Sequence, residues 1–215
     1  MEAAIRWSPH STADFSRFLV LDVEENNLQY FELASNWRKK GHDDESRFKL
    51  ISQKKKLPNY TAFDWSKTDP NIIAIGASIG ETHLVQLGSS DSLGSASEEG
   101  PSLQTLGIKH QRKCNSIAFS HSNKLATGLD RVRSDSSLNI YELTSSGVNL
   151  EPNRKLVIGE AVTSIRFFTS QPDVLIAGVR AQCVRLYDLR GKWTLDVLSC
   201  AKPAWPFGTA FPSYR

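Results

Sequence analysis

Apolar and polar residues alternate along this chain in short runs, and the runs fall into groups of three. Cys114-Asn115-Ser116-Ile117-Ala118-Phe119 alternates as a half-buried strand does. Lys124-Leu125-Ala126-Thr127-Gly128 reads as a small, tightly packed strand, and Leu138-Asn139-Ile140-Tyr141 as an alternating third. The same order recurs at 162–167, 174–178 and 184–189, at 61–65, 72–76 and 84–87, and most weakly at 4–7, 18–23 and 28–33. Ser, Asn, Asp, Gly and Pro punctuate the runs, and no long stretch has a 3.6-residue period. The pattern therefore predicts antiparallel strands joined by hairpins, an all-β chain.

The groups are copies of one unit. An aromatic followed by Ser stands at Trp7-Ser8, Trp65-Ser66 and Phe119-Ser120, then more loosely as Phe167-Phe168 and Phe211-Pro212, at intervals of 58, 54, 48 and 44 residues. A period of this size signals a propeller or a solenoid. Small residues recur at one place in the second strand, as Ala74 and Gly76, Ala126 and Gly128, Ala177 and Gly178, where strands crowd near a propeller axis. The reading is an incomplete β-propeller, with blade-like units at 1–33, 58–87, 108–143 and 156–189 and the start of a further one at 204–215. Only four units and the start of a fifth are present, so the chain reads as a fragment or a shortened product. Two insertions interrupt the units. Residues 88–105 are Ser- and Gly-rich and read as a flexible loop, and residues 34–57, with Arg38-Lys39-Lys40 and Asp43-Asp44-Glu45, read as a solvated connection.

These units resemble the WD repeat, whose third strand ends in Trp-Asp after an Asp-containing tight turn. Asp135 to Glu142 occupies that register with Tyr141-Glu142 in place of Trp-Asp, and Tyr187-Asp188 does so in the next unit. His110 lies near the family's usual histidine. Ala181 stands where a turn Asp is expected, and the second unit closes with Gln86-Leu87, so the repeats are degenerate. The resemblance implies a blade framework of His110, Phe119, Asp135, Tyr141, Phe167, Tyr187 and Asp188.

A closer resemblance, across most of the chain, is to the N-terminal propeller of the Mio (missing oocyte) family of GATOR/SEA-complex subunits. It rests on Cys114 to Phe119, on Leu125-Ala126-Thr127-Gly128-Leu129-Asp130-Arg131 running on to Arg133-Ser134-Asp135, and on Leu175-Ile176-Ala177-Gly178 with Tyr187-Asp188-Leu189-Arg190. Ile5-Arg6-Trp7-Ser8-Pro9-His10 also fits. The resemblance implies a non-catalytic scaffold that binds other WD-repeat subunits, including a nucleoporin-related propeller, at the cytosolic face of the vacuole or lysosome. It implies a part in amino-acid signalling to the target-of-rapamycin kinase complex. Candidate contacts are Arg131, Arg133 and Arg190. The alternative is a substrate receptor of a cullin-RING ubiquitin ligase, because Tyr187-Asp188-Leu189-Arg190 resembles the W-D-x-R box.

Composition narrows the chemistry. The chain has 215 residues, 40% hydrophobic and 23% charged, enough for a sizeable core. Lys and Arg number 26 against 23 Asp and Glu, a net charge of +3, which falls short of a nucleic-acid-binding face. The longest apolar run, Ile72 to Ala77, is far below the ~20 residues that cross a bilayer. Cys114, Cys183 and Cys200 are widely spaced and form no C-x-x-C pair, so reduced cytoplasmic thiols are expected. His10, Ser11 and Asp14 lie close in sequence without a G-x-S-x-G elbow, and His110, Cys114 and His121 lack zinc spacing. No Gly-rich phosphate loop is present. No catalytic residue, cofactor or metal is expected.

Overall fold

The computed structural model describes residues 3–11, 16–22, 25–33, 48–54, 59–87, 104–144, 147–180, 183–191 and 198–199. Every regular element among them is a strand, and the strands make four antiparallel sheets in chain order. Sheet one is β1 (Ala3–Trp7), β2 (Ser16–Asp22), β3 (Asn27–Leu33) and β4 (Phe48–Lys54). Sheet two is β5 (Tyr60–Trp65), β6 (Ile72–Ala77), β7 (Thr82–Gln86) and β8 (Gln104–Leu106). Sheet three is β9 (Cys114–Phe119), β10 (Lys124–Leu129), β11 (Ser136–Thr144) and β13 (Arg154–Ile158), and the two-residue β12 (Gly147–Val148) extends the far end of β11. Sheet four is β14 (Val162–Phe167), β15 (Val174–Val179), β16 (Cys183–Asp188) and β17 (Leu198–Ser199).

Each sheet thus carries a fourth strand beyond the three legible in the alternation. Phe48–Lys54 falls inside the stretch read as a connection (34–57), and Gln104–Thr105 inside the stretch read as a flexible loop (88–105). Residues 154–158 close the third sheet, so its unit runs past 143 and the next begins near 162, where a boundary at 156 was expected. Outer strands face solvent over much of their length, so burial imposes little alternation on them. The expected further unit at 204–215 and Cys200 lie outside the described residues.

The sheets stack face to face, and the first strands of sheets two, three and four lie side by side. β9 lies against β5 on one side and against β14 on the other. Each junction has its own core. Leu19, Leu21, Leu28 and Tyr30 of sheet one meet Phe63, Trp65, Ile73 and Val85 of sheet two. Ala74 and Leu84 meet Ile117, Phe119 and Leu125. Ala118, Leu138 and Ile140 meet Ile165, Leu175 and Tyr187. One large apolar side chain taken fully out of water contributes about 1.5–3 kcal/mol, so each junction can hold its neighbour. On the far side of sheet one, Trp7, Phe31 and Phe48 each make a ring contact with Phe18, at 5.2, 5.2 and 5.7 Å.

Polar atoms fix the spacing as well. Every first strand after β1 carries a bulge one residue from its start, at Thr61, Asn115 and Thr163. The Thr61 hydroxyl donates to the Cys114 carbonyl, and Asn115 Nδ2 donates to the Val162 carbonyl at 3.1 Å. The first two bulges therefore reach the opening residue of the next sheet. In the opposite direction, Ile165 N–H donates to Ser116 Oγ (3.1 Å) and Phe119 N–H to Asp64 Oδ2 (2.8 Å).

Candidate functional site: the basic rim of sheets three and four

The loops at the N-terminal end of β9 and the C-terminal end of β10 share one rim. Asp130 N–H bonds the Lys113 carbonyl at 2.8 Å, and the equivalent bond in sheet four joins Arg180 to Ala161 at 3.0 Å. Beneath this rim is a charged framework. Arg112 Nη2 donates to Asp135 Oδ2 (2.9 Å) and to the Ser136 carbonyl (2.7 Å), and Asp135 Oδ1 accepts the Ser136 N–H (2.8 Å). The Arg112 side chain is only 3% exposed. Tyr141 lies buried in the same sheet, and burial pushes its phenol up to about 12, partly offset by a hydrogen bond with Thr127. In sheet four the polarity is exchanged: Glu160, two residues before β14, pairs with Arg185 of β16 at 2.6 Å.

On top of that framework Lys109, Lys113, Arg131, Arg133 and Arg180 are all exposed. None of the five has a carboxylate partner among the described residues. The rim's carboxylates are engaged by this chain's own groups, Asp130 by Asn115 Nδ2 at 3.3 Å, Asp135 by Arg112 and Glu160 by Arg185. The result is a local cationic field on a chain whose net charge is only +3, the arrangement that attracts an acidic surface.

The expected site residues divide accordingly. Arg131 and Arg133 stand on this rim, and Asp135 lies under it. His110 is half-buried two residues before Arg112, and the cation bonded to Asp135 is Arg112. Phe119 is buried against sheet two, Phe167 is half-buried against sheet three, and Tyr187 is buried in sheet four. Asp188 and Arg190 are at the opposite rim, so the structure separates Arg190 from Arg131 and Arg133.

Arg190 grips Asp188 with Nε to Oδ1 (2.9 Å) and Nη2 to Oδ2 (2.6 Å), while the Arg190 N–H adds a third bond to Oδ1 (3.0 Å). These bonds hold the Asp188 carboxyl down at about 2. A depressed folded value means the pair's contribution is present above the ordinary Asp value of 3.8 and is lost as pH falls from there toward about 2. Arg190→Gln should move the Asp188 titration back up toward that ordinary value. A carboxyl-carbon NMR titration reads it, and an unmoved midpoint would show that the guanidinium is not the cause.

Of the residues first considered for chemistry, His10 and Cys114 have structural roles, His121 is exposed, and Asp14 lies outside the described residues. His10 Nε2 lies 3.0 Å from the Ser66 carbonyl and joins sheets one and two. Cys114 packs under Gly76, and burial raises its thiol to about 12, far from a reactive thiolate. Among the described residues no three His, Cys, Asp or Glu side chains cluster as a metal site would, and no helix is long and apolar enough to cross a membrane. Arg112, Lys109, Lys113 and Arg180 are contributions that the motif reading missed. Arg112 was marked only by its place two residues before the first strand, which Glu160 shares.

Four like antiparallel sheets, stacked face to face, make this chain a stretch of WD-repeat β-propeller. No family model matches it. Its sequence is similar to the GATOR2 complex protein MIOS of Danio rerio, 30% identical over 148 residues, covering 66% of this chain and 16% of that protein. It is 31% identical over 151 residues to the GATOR2 complex protein MIOS-A of Xenopus laevis, again 66% of this chain and 16% of the relative. A WD repeat-containing protein of Schizosaccharomyces pombe is 27% identical over 154 residues, 70% of this chain and 17% of its own length. The chain is a Mio-like run of WD repeats that spans about one-sixth of the length of these relatives.

Proposed function

We propose that this chain acts as a non-catalytic scaffold in a GATOR-type complex, binding partners through the rim loops of its sheets. The observation that carries the reading is the rim itself: five exposed cations above carboxylates that are already engaged internally, on a frame held by three separate cores. That two similar proteins are named as GATOR2 complex proteins supports the choice of complex. In this reading the partners are other WD-repeat subunits, among them a nucleoporin-related propeller. The complex works at the cytosolic face of the vacuole or lysosome and relays amino-acid supply to the target-of-rapamycin kinase complex. A propeller suits such work because loops carry the contacts while strands keep the frame.

The test is capture of the assembled complex on the tagged chain, scored with and without Arg131→Glu and Arg133→Glu. Reversing two rim charges should lower recovery of an acidic partner by about 10-fold, and added salt should weaken the unaltered chain in the same direction. Unchanged recovery at low salt, with the folded state intact, would remove the rim from the interface.

A further inference from the structure

The loop that joins β10 to β11 is fastened at both ends and only lightly held at its tip. At one end Asp130 N–H bonds the Lys113 carbonyl (2.8 Å), and the Asp130 carboxylate accepts Asn115 Nδ2 (3.3 Å). At the other end the Asp135 carboxylate is held by Arg112 and by the Ser136 N–H. Between them the tip carries Arg131, Arg133 and Ser134, all exposed. The backbone bond that closes the tip, Asp135 N–H to the Val132 carbonyl, is long at 3.3 Å. Ser134 Oγ has no hydrogen-bond partner among the described residues. Such a tip can be drawn out into another protein's groove while the strands on both sides keep their ladders.

We propose that Ser134 is a phosphorylation site for a serine/threonine kinase with an acidic substrate groove, and that the phosphate switches the basic rim off. The hydroxyl stands three residues after one unpaired arginine, Arg131, and directly after another, Arg133, so the cations the rim offers a partner are also the ones such a groove reads. In the transfer Ser134 Oγ attacks the γ-phosphorus of magnesium ATP. An O–P bond forms as the bond to ADP breaks, and the hydroxyl proton passes to the kinase's catalytic aspartate. Nearby hydroxyls do not compete. Ser136 follows Arg133 by three residues, but it is 3% exposed and its Oγ donates to the Leu138 carbonyl at 2.9 Å. Thr169 is exposed three residues after Arg166, but Arg166 is fixed in the β14 ladder opposite Ile176, so drawing it out would break the strand. A phosphoserine carries about −1.5 to −2 charges near neutral pH. At Ser134 it stands beside Arg131 and Arg133 and cancels up to two of the rim's five exposed cations. Arg112 stays with Asp135, because it lies beneath the rim and also bonds the Ser136 carbonyl. The switch rests on the rim being the interface; the modification site does not.

The site is tested on the full 215-residue chain with magnesium ATP and, as the probe, the catalytic subunit of cAMP-dependent protein kinase. Peptide mass spectrometry should place the first phosphate on Ser134, and Ser134→Ala should remove it. Arg131→Gln should slow the modification about 10-fold, while Arg166→Gln leaves it unchanged. No phosphate on Ser134, or a first phosphate on Thr169, overturns the proposal. So does phosphate on Ser136 as readily as on Ser134, since the kinase would then be reading an unfolded segment. The phosphorylated chain is next compared with the unmodified one in capture of the assembled complex, where recovery should fall about 10-fold. Recovery unmoved by the phosphate but lowered by Arg131→Glu and Arg133→Glu overturns the switch and leaves the rim reading in place. Recovery unmoved by either removes the rim reading and the switch together.

Discussion

Asp135→Ala should cost about 3–5 kcal/mol of folding stability, because it leaves the buried Arg112 guanidinium without its counter-charge. Two features make this larger than an ordinary ion-pair deletion. Arg112 is shielded from water, so its charge cannot be recovered by hydration, and its Nε and Nη1 already lack a partner among the described residues. Asp135 also accepts the Ser136 N–H that opens β11, so its loss frees a backbone donor at the head of the strand. Removing both charges at once, with Arg112→Met beside Asp135→Ala, should recover much of the loss, since an apolar side chain of similar length leaves no stranded cation. A matched comparison is Asp173→Ala. That carboxylate pairs with Lys124 at 2.6 Å across the junction of sheets three and four, but both side chains are partly exposed, so the cost should stay near 1 kcal/mol or below. Urea unfolding of the three variants gives the order. Should Asp135→Ala prove no worse than Asp173→Ala, the Arg112 pair is not a lock.

The same pair shows where reading the sequence stops. His110 and Arg112 are two residues apart in one loop, and a motif that expects histidine selects the first. What decides is the path of the loop backbone: Arg112 N–H bonds the Ile79 carbonyl at 3.1 Å, and Gly80, at φ +95°, packs directly on the Arg112 carbonyl. These contacts come from the turn after β6 in sheet two, far along the chain from any local signal around Asp135. Inner and middle strands were legible because packing between neighbouring sheets confines them to short apolar runs, with small residues where the sheets approach. Outer strands were not, since Phe48 and Leu50 of β4 are exposed and β8 is three residues long. The rim cations were half legible. Arg131 and Arg133 stood out through their motif, whereas Lys109, Lys113 and Arg180 join them only once the sheets stack.

Gly128→Ala should cost about 1–3 kcal/mol although it adds one methyl group, because that methyl would lie 2.8 Å from Val162 Cγ1 and 3.0 Å from Ile165 Cδ1. Backbone conformation is not the cause, since Gly128 pairs in register with Leu138 and Ser116 as an ordinary strand residue. The cause is that sheet four approaches sheet three at this point more closely than a Cβ allows. The obstruction is a short branched side chain in a fully buried position, which cannot swing aside as a long flexible one can. Val162→Ala removes the obstructing methyl. It is destabilising by itself through the cavity it leaves, but in combination with Gly128→Ala the two costs should fall short of their sum by about 1–2 kcal/mol, the sign of two groups sharing one space. Gly107→Ala is the contrast, for a Cβ there meets nothing within 4 Å and the change should stay within ~0.5 kcal/mol. Strict additivity between positions 128 and 162 would mean that the glycine serves the strand and not the junction. The same explanation for Gly76, where a Cβ would run into Cys114, would then fail with it.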